Sequence, residues 1–585
     1  MSLSIYFKHQ RLHIVLVSWF AFVLLMLNGC GSSDSGNNNA NRPVVSTNTG
    51  QLMGVMRNGV DEYRGIPYGQ AERWELATAQ PAWSGVLDAS NFGPACAQQA
   101  RFDLTEESTS EDCLFLNVSA PVNTKSGAGL PVLVWMPGGA FVGGGGQLYR
   151  LDQLARDGKM VVVSINYRLG IFGFMAHPAI SAGWNGNLGL EDQRLAMRWV
   201  KDNIAQFGGD PNNVTMAGES AGAGSACMHL MSGSQVAGLF DKAIVQSAGC
   251  LHPMPTLATS LHPSAGDSSS KWYKLAQLTG CATNPTGSLA ELNCMKNIKG
   301  VDGVKSLLTY QGKIAGSDVM GFGPSIASGT VPLPDYSDAS ITQYLNRVPI
   351  LFGGTQNELR LYAAYDNLFE HKDVSAINAA SLKTDWLSKY YPGSSEVTGL
   401  QDQIMNHYFP TLASGGIIDG GAVGSMLSDY SPAAGINNCD YVRTASVFGA
   451  QTPLYQWEFA DPDAPVLGVG IAKGLNPEMS LGAVHSSELN YIFPNLSNTA
   501  AIDAPDLSPA AQRLADILTH VWASFAKTGI PTHASLPQWI PSGAWGYAPV
   551  SQVMRFQSAD QIQFYDAYSS HQCAFWRSQY PGSLQ

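Results

Sequence analysis

The sequence predicts an α/β protein built on a large, mostly parallel central sheet with helices on both faces, and three observations carry that prediction. Two short runs, 132–136 and 160–165, are apolar on every face and bounded by Gly or Pro, as interior strands of a covered sheet are. Helix-compatible segments alternate with the strands: 151–157 lies between the two runs, and 192–205 carries Leu195, Trp199 and Val200 at helical spacing. A third short strand is then expected at 214–217. Parallel neighbours need a crossover between them, so the order strand, helix, strand, helix, strand implies parallel pairing.

Later segments extend the same pattern. Residues 348–354 and 454–459 read as further strands of the sheet, and 512–527 as an amphipathic helix stopped by Thr528-Gly529-Ile530-Pro531. Residues 252–340 and 361–440 mix helical patterns with glycine-rich loops and are expected as excursions over one end of the sheet. The chain has 585 residues, 45% hydrophobic and 13% charged, with 61 Gly and 32 Pro, which allows a large core with many turns. Residues 44–585 are expected to form a single domain.

A formal charge of −12 excludes a polyanion as the natural partner, because binding phosphates needs a clustered excess of Lys and Arg. No nucleic acid is expected. At the start of the chain, Lys8 and Arg11 precede an uncharged stretch, 14–27. As a helix it is about 21 Å long, short of the roughly 30 Å of a hydrocarbon core, so residues 1–29 read as a signal peptide. It ends in Leu27-Asn28-Gly29-Cys30, which resembles a bacterial lipobox, with Asn28 where a small residue is usual. Cys30 is the expected lipidation site, and 30–43, rich in Gly, Ser and Asn, the flexible tether behind it. The protein is thus expected to be exported and held in the cell envelope by its lipid, facing the periplasm or the cell surface. Export would let the other eight of the nine cysteines pair. No CxxC or HExxH spacing is present, so the pattern calls for neither a metal nor an organic cofactor.

The chemistry-bearing motif is Gly218-Glu219-Ser220-Ala221-Gly222, placed between the strand ending at Ala217 and a helix-compatible segment, 223–231. A serine on a tight strand-to-helix turn is pushed outward, and small flanking residues let the backbones pass. Its hydroxyl needs a positioned base, and the base needs a partner that fixes its tautomer. Of the later histidines, His229 and His520 sit in helices and are more simply structural. His485 lies in a loop of small residues before the apolar run 489–493, which suits a base presented above a sheet. Glu358 follows the 348–354 strand at its carboxyl end, one of several carboxylates that could serve.

Across nearly its whole mature length the chain resembles a type B carboxylesterase of the cholinesterase and para-nitrobenzyl esterase kind. The resemblance is carried by Tyr63-Arg64-Gly65-Ile66-Pro67-Tyr68-Gly69, Glu111-Asp112-Cys113-Leu114-Phe115-Leu116-Asn117-Val118, Ser164-Ile165-Asn166-Tyr167-Arg168-Leu169-Gly170 and Asn187-Leu188-Gly189-Leu190-Glu191-Asp192-Gln193. Phe207-Gly208-Gly209-Asp210-Pro211, running on to Gly222, and Cys573-Ala574-Phe575-Trp576 complete it. It implies an α/β-hydrolase fold and hydrolysis of carboxylic esters through an acyl-enzyme, without cofactor. It also implies Ser220 as nucleophile, His485 as base and Glu358 as the orienting acid, with Leu359 where a small residue is usual. The oxyanion donors would be the N–H groups of Gly139, Ala140 and Ala221. Pro137 stands where relatives often carry His or Tyr, and is expected to change rigidity more than catalysis.

Other roles stay open at this level. Glu219 reads as a buried structural carboxylate or as an electrostatic helper of the imidazolium, and Ser247 as a hydrogen-bonding neighbour of the triad. Residues 143–146 read as a flexible loop or a ligand contact. By the resemblance, Cys96 pairs with Cys113, Cys281 with Cys294 and Cys439 with Cys573, while Cys227 and Cys250 are buried thiols or an extra bridge. An unperturbed His485 would titrate at about 6.5 to 7. Tyr362, Tyr365 and Phe369 read as core or as pocket lining. The rival readings are a lipase, a polyester or aromatic-ester hydrolase or an amidase with the same triad, and a non-catalytic cholinesterase-like binding protein. The natural ester and the oligomeric state are not legible in the sequence.

Overall fold

The computed structural model describes residues 42–100, 106–261, 270–315, 321–394, 399–467, 479–494, 506–542 and 552–584. The expected signal peptide and Cys30 lie outside the described residues. Eleven strands form the central sheet: β1 (Val55–Arg57), β2 (Val60–Pro67), β3 (Phe115–Pro121), β4 (Leu130–Met136), β5 (Val161–Ile165), β6 (Gly209–Glu219), β7 (Lys242–Gln246), β8 (Ile350–Thr355), β9 (Leu454–Phe459), β10 (Val553–Ser558) and β11 (Gln561–Tyr565). Their spatial order is β11-β10-β9-β8-β7-β6-β4-β5-β3-β2-β1. The pairings from β5 through β4, β6, β7, β8 and β9 to β10 are parallel. Both flanks, β5-β3-β2-β1 on one side and β10-β11 on the other, pair antiparallel. The sheet is therefore parallel in its middle and mixed at its edges.

The all-apolar strands are explained by two cores, one on each face. Alternate residues point to opposite faces of a strand, and here Val132, Val134 and Met136 of β4 join one core while Leu133 and Trp135 join the other. The same division sends Ala243 and Val245 to the first and Ile244 to the second, and Ile350 and Phe352 to the first and Leu351 to the second. Each fully buried aliphatic side chain of this kind contributes about 1.5 to 3 kcal/mol relative to exposure.

Six helices frame the site: α1 (Asp152–Gly158), α2 (Leu188–Asn203), α3 (Ala221–Leu230), α4 (Arg360–Glu370), α5 (Asn438–Gly449) and α6 (Pro509–Thr528). The apolar faces of α2 and α3 complete the first core. On the second face α6 buries Leu514, Leu518, Val521, Trp522 and Phe525. Its ends follow from its sequence: Ser508 accepts from the Ala511 N–H at 3.2 Å, Pro509 occupies the first turn, and Gly529 closes the helix at φ 77°. A third core, containing Leu359, Trp386, Tyr391, Leu427 and Trp576, belongs to the excursion after β8 and the chain's last helices.

Four disulfides are present among the described residues. Cys96–Cys113, Cys281–Cys294 and Cys439–Cys573 are the pairs that the resemblance implies, and Cys227–Cys250 is the extra bridge rather than two free thiols. Cys439–Cys573 closes a separation of 134 residues and ties α5 to the last helices of the third core. Replacing both of its cysteines by Ser is expected to cost about 4 kcal/mol through the freed denatured chain. Denaturant unfolding under non-reducing conditions would show it; a loss under 1 kcal/mol would contradict this account.

Candidate active site

The geometry begins with backbone packing at Ser220. β6 ends at Glu219, α3 begins at Ala221, and Ser220 between them has φ 56° and ψ −122°. A non-glycine residue there is strained and persists only where its surroundings over-determine it. They do so here: a Cβ on Gly222 would lie 1.9 Å from the Met136 carbonyl oxygen, and one on Gly218 would lie 2.5 Å from the Gly222 carbonyl carbon. Only glycine at 218 and 222 lets strand and helix pass so closely. The Ser220 N–H donates to the Gln246 carbonyl at 2.9 Å, which fixes the turn to β7.

Three residues distant in sequence meet at the Ser220 hydroxyl. His485 Nε2 stands 2.9 Å from Ser220 Oγ, and His485 Nδ1 stands 2.7 Å from Glu358 Oε2. Glu358, fully buried just after β8, accepts on its other oxygen from the Thr355 N–H at 2.8 Å and from the Tyr441 hydroxyl at 2.9 Å. Its geometry is fixed from two elements. In the neutral ring whose Nδ1–H donates to Glu358, Nε2 is left as an acceptor for the serine hydroxyl.

The loop after β4 supplies donors. Gly139, Ala140 and Phe141 have φ 117°, 54° and 62°, a left-handed run held by Val142 and Gly143 N–H bonds to the Gly139 carbonyl, each 3.0 Å. Among the described residues no protein acceptor takes the N–H of Gly139, Ala140 or Ala221. Residues 143–146 are pinned rather than flexible. Gln98 receives the Gly144 N–H at 2.8 Å and donates to the Gly144 carbonyl at 2.9 Å, and Gly146 donates to Asn166 Oδ1 at 2.8 Å. Pro137 presents its carbonyl to the Tyr167 hydroxyl at 2.7 Å.

Two more carboxylates surround the imidazole. Glu219 Oε1 is 3.3 Å from His485 Nε2 and accepts from the Ser486 hydroxyl at 2.5 Å, which places this buried residue at the imidazole rather than in a remote structural role. Burial is the largest influence on His485 and disfavours its charged form, but Glu219 and Glu358 outweigh it and push the imidazole up to about 9. The unperturbed value expected from sequence ignores those two neighbours. Burial, then Glu219 and Glu358, push Glu488, one turn beyond His485, up to about 8, and burial raises Glu219 as well. Gln246 Nε2 donates to it at 3.1 Å, and Gln246 Oε1 in turn receives the Trp522 indole N–H at 2.9 Å. Ser247 is fully buried with φ 59°, and among the described residues its hydroxyl has no hydrogen-bond partner.

Sequence reasoning did not single out Ser486, Glu488 or Tyr441. Only Ser486 and Glu488 carried a usable signal, their closeness to His485; Tyr441 reaches the site from α5 and had none.

A cavity of about 440 Å³ opens from Ser220. Ala140, Phe141, Gly224, Met228, Tyr362, Tyr365 and Lys389 line it, and the Tyr362 ring lies 6.2 Å from the His485 ring. Tyr362 and Tyr365 are thus pocket lining; the side chain of Phe369 lies outside the described residues. Among the described residues no group of His, Cys, Asp and Glu is arranged to hold a metal.

A serine on a strained strand-to-helix turn in contact with a histidine, itself in contact with a buried carboxylate, on a sheet parallel in its middle is the arrangement of a serine hydrolase of the α/β-hydrolase fold. The chain belongs to the carboxylesterase family, whose pattern matches residues 41–576, and is a carboxylic-ester hydrolase. It is 29% identical over 506 residues to the para-nitrobenzyl esterase of Bacillus subtilis (strain 168), covering 84% of this chain and 90% of that protein. Over 513 residues it is 30% identical to the fumonisin B1 esterase of Sphingopyxis macrogoltabida, covering 85% and 84%. The phenmedipham hydrolase of Pseudarthrobacter oxydans is 30% identical over 514 residues, covering 85% and 92%. A solved para-nitrobenzyl esterase structure superposes with a TM-score of 0.67 at 27% identity, covering 91% of this chain and 99% of that one.

The carboxylates make a pH prediction. A base must be neutral to accept a proton, so kcat/KM should rise with pH through an acid limb above the ordinary imidazole value of about 6.5. Glu219→Gln removes a charge that favours the imidazolium, and should move that limb down by about 1 pH unit. Ser486→Ala and Ser486→Gly, which leave Glu219 without its hydroxyl donor, should move it in the same direction by less. Ser486 has φ 68°, so the glycine variant should also melt higher than the alanine one. Unmoved limbs in all three variants would contradict the assignment.

Proposed function

We propose that Ser220, His485 and Glu358 cleave the ester in two acyl-transfer steps, and the observation that carries this is the continuous contact from Ser220 Oγ through both nitrogens of His485 to Glu358 Oε2. Ser220 Oγ attacks the ester carbonyl while His485 Nε2 takes its proton. Negative charge gathers on the former carbonyl oxygen, toward the N–H groups of Gly139, Ala140 and Ala221, where each donor is worth about 2.7 to 4 kcal/mol in the transition state. His485 returns the proton to the departing alkoxide, which leaves as alcohol and frees the acyl-serine. Water then adds to the acyl-serine, giving its proton to His485, and the carboxylic acid departs as Ser220 Oγ recovers that proton. Glu358 stays ionised and holds the ring. The chemistry calls for neither metal nor organic cofactor.

The site can be tested by fluorophosphonate labelling with peptide mapping, followed by nitrophenyl esters of increasing acyl length. Label is expected on Ser220, and Ser220→Ala and His485→Ala should each lower kcat by about 10⁴-fold or more. Label elsewhere, or a fall of less than tenfold, overturns the assignment.

The second part of the proposal concerns place: the protein is exported and anchored to the cell envelope through lipid on Cys30. The charged start, the apolar stretch too short to span, and the lipobox-like Leu27-Asn28-Gly29-Cys30 support it, as do four disulfides that suit an oxidising compartment. Metabolic labelling with a radioactive fatty acid should mark the wild-type chain and not Cys30→Ala, which should leave the membrane fraction. Equal label on both would reject the anchor.

A further inference from the structure

The segment 247–254 forms a wall of the cavity and is held more firmly than a loop without secondary structure needs to be. The Ser247 N–H donates to the Gly353 carbonyl at 2.7 Å, the Gly249 N–H to the Gly435 carbonyl at 2.6 Å, and Arg443 Nη1 to the Leu251 carbonyl at 3.3 Å. Cys250 is bonded to Cys227 of α3, the helix that begins behind Ser220, and Cys227 itself lines the cavity. The wall is thus tied covalently to the helix that carries the nucleophile.

His252 projects from this wall. Its Nδ1 is 3.6 Å from Asp440 Oδ2, a buried carboxylate that also accepts from Asn437 Nδ2 at 2.9 Å. The ring lies against the backbone of Gly435, where a Cβ would come within 2.8 Å of His252 Cγ, so it is wedged in one orientation. With Nδ1 turned to Asp440, Nε2 points from the opposite side of the ring, and among the described residues it has no hydrogen-bond partner. The same cavity is otherwise apolar beside Ser220. At the cavity's distant end Asp366 and Glu370 are each paired with both Lys372 and Lys389, so that end is charge-balanced and does not call for an ionic substrate. Asp440 behind His252 likewise disfavours an anion.

We propose that His252 is a specificity-determining residue, and that the preferred esters carry a neutral hydrogen-bonding group, a hydroxyl or carbonyl, on the arm that lies along the 247–254 wall. A site with a fixed, mostly buried polar group such as His252 discriminates against the analogue that leaves it unpaired, whereas an apolar wall discriminates little against an added hydroxyl. This rests on the reading of the cavity as the ester site of Ser220.

The test compares matched esters at one fixed pH. Nitrophenyl 3-phenylpropionate is set against its ring-hydroxylated forms, and phenethyl acetate against its own, so that the hydroxyl lies in the acyl arm in one series and in the alcohol arm in the other. In at least one series the wild-type kcat/KM should favour a hydroxylated ester by about tenfold. H252L should bring that ratio to about one, and H252F, which keeps a ring, should do the same, so either variant that folds decides. A purely structural histidine would lower kcat/KM for both members alike and leave the ratio in place, which overturns the proposal. A wild-type ratio near one in both series overturns it without any variant. A wild-type protein that turns over none of these esters instead rejects the ester-hydrolase reading.

Discussion

The close approach of β6, α3 and the end of β4 is the constraint on which the rest of this structure depends. Gly218 and Gly222 allow it, because the Met136 carbonyl oxygen stands where a Cβ of residue 222 would be. Ser220 takes up the misfit as a positive φ, and its hydroxyl is turned out of the sheet edge. The same approach brings the loop after Met136 beside the start of α3, so Ser220 and the backbone of Gly138 are positioned by one contact. The strain of order 1 to 3 kcal/mol at such a residue is small beside the burial of Val134, Met136, Met216 and Val245 around it. The sheet can therefore hold a conformation that a loop could not.

A second constraint is electrostatic. Glu219, Glu358 and Glu488 are all buried near one imidazole, and three negative charges at such distances in a poorly hydrated site would repel strongly. The structure resolves this by distributing roles. Glu358 has two donors besides His485. Glu219 is satisfied by Ser486 and by the imidazole. Glu488 receives Gln246, and burial with the neighbouring carboxylates raises it. Glu219 and Glu358 lead the charges that favour the protonated imidazole, and burial opposes them.

Much of this was legible in the sequence, for physical reasons that differ by element. Interior strands such as β4 and β5 were readable because burial on both faces leaves them almost wholly apolar, and α6 because its cap, first-turn proline and closing glycine all agree. The serine turn was readable because glycine alone satisfies its contacts. The mixed flanks of the sheet were not, since β2 and β3 are paired by register and not by any composition that separates antiparallel from parallel. The Cys227–Cys250 bridge was left open because pairing depends on spatial distance. Ser486 occupies a left-handed position usually associated with glycine, so nothing in its identity reveals the strain it carries or the carboxylate it serves. Tyr441 and Asp440 reach the site from α5, some eighty residues beyond Glu358, and only the packing of α5 under β8 brings them there.

The distribution of disulfides shows how the two parts of the molecule are stabilised differently. None of the eight bonded cysteines lies in a strand of the central sheet. The strands are held by ladders and by two apolar cores, where a cross-link would add little and could distort the packing. The bonded cysteines lie in the helices and loops around the sheet, and of the four bridges Cys439–Cys573, across 134 residues, removes the most denatured-state freedom. Chemistry is therefore carried on the part fixed by packing, while the cavity walls are carried on parts fixed by cross-links and side-chain clamps. Such walls can change residue by residue without disturbing the turn at Ser220, and it is in them, rather than in the triad, that a preference for one ester over another is built.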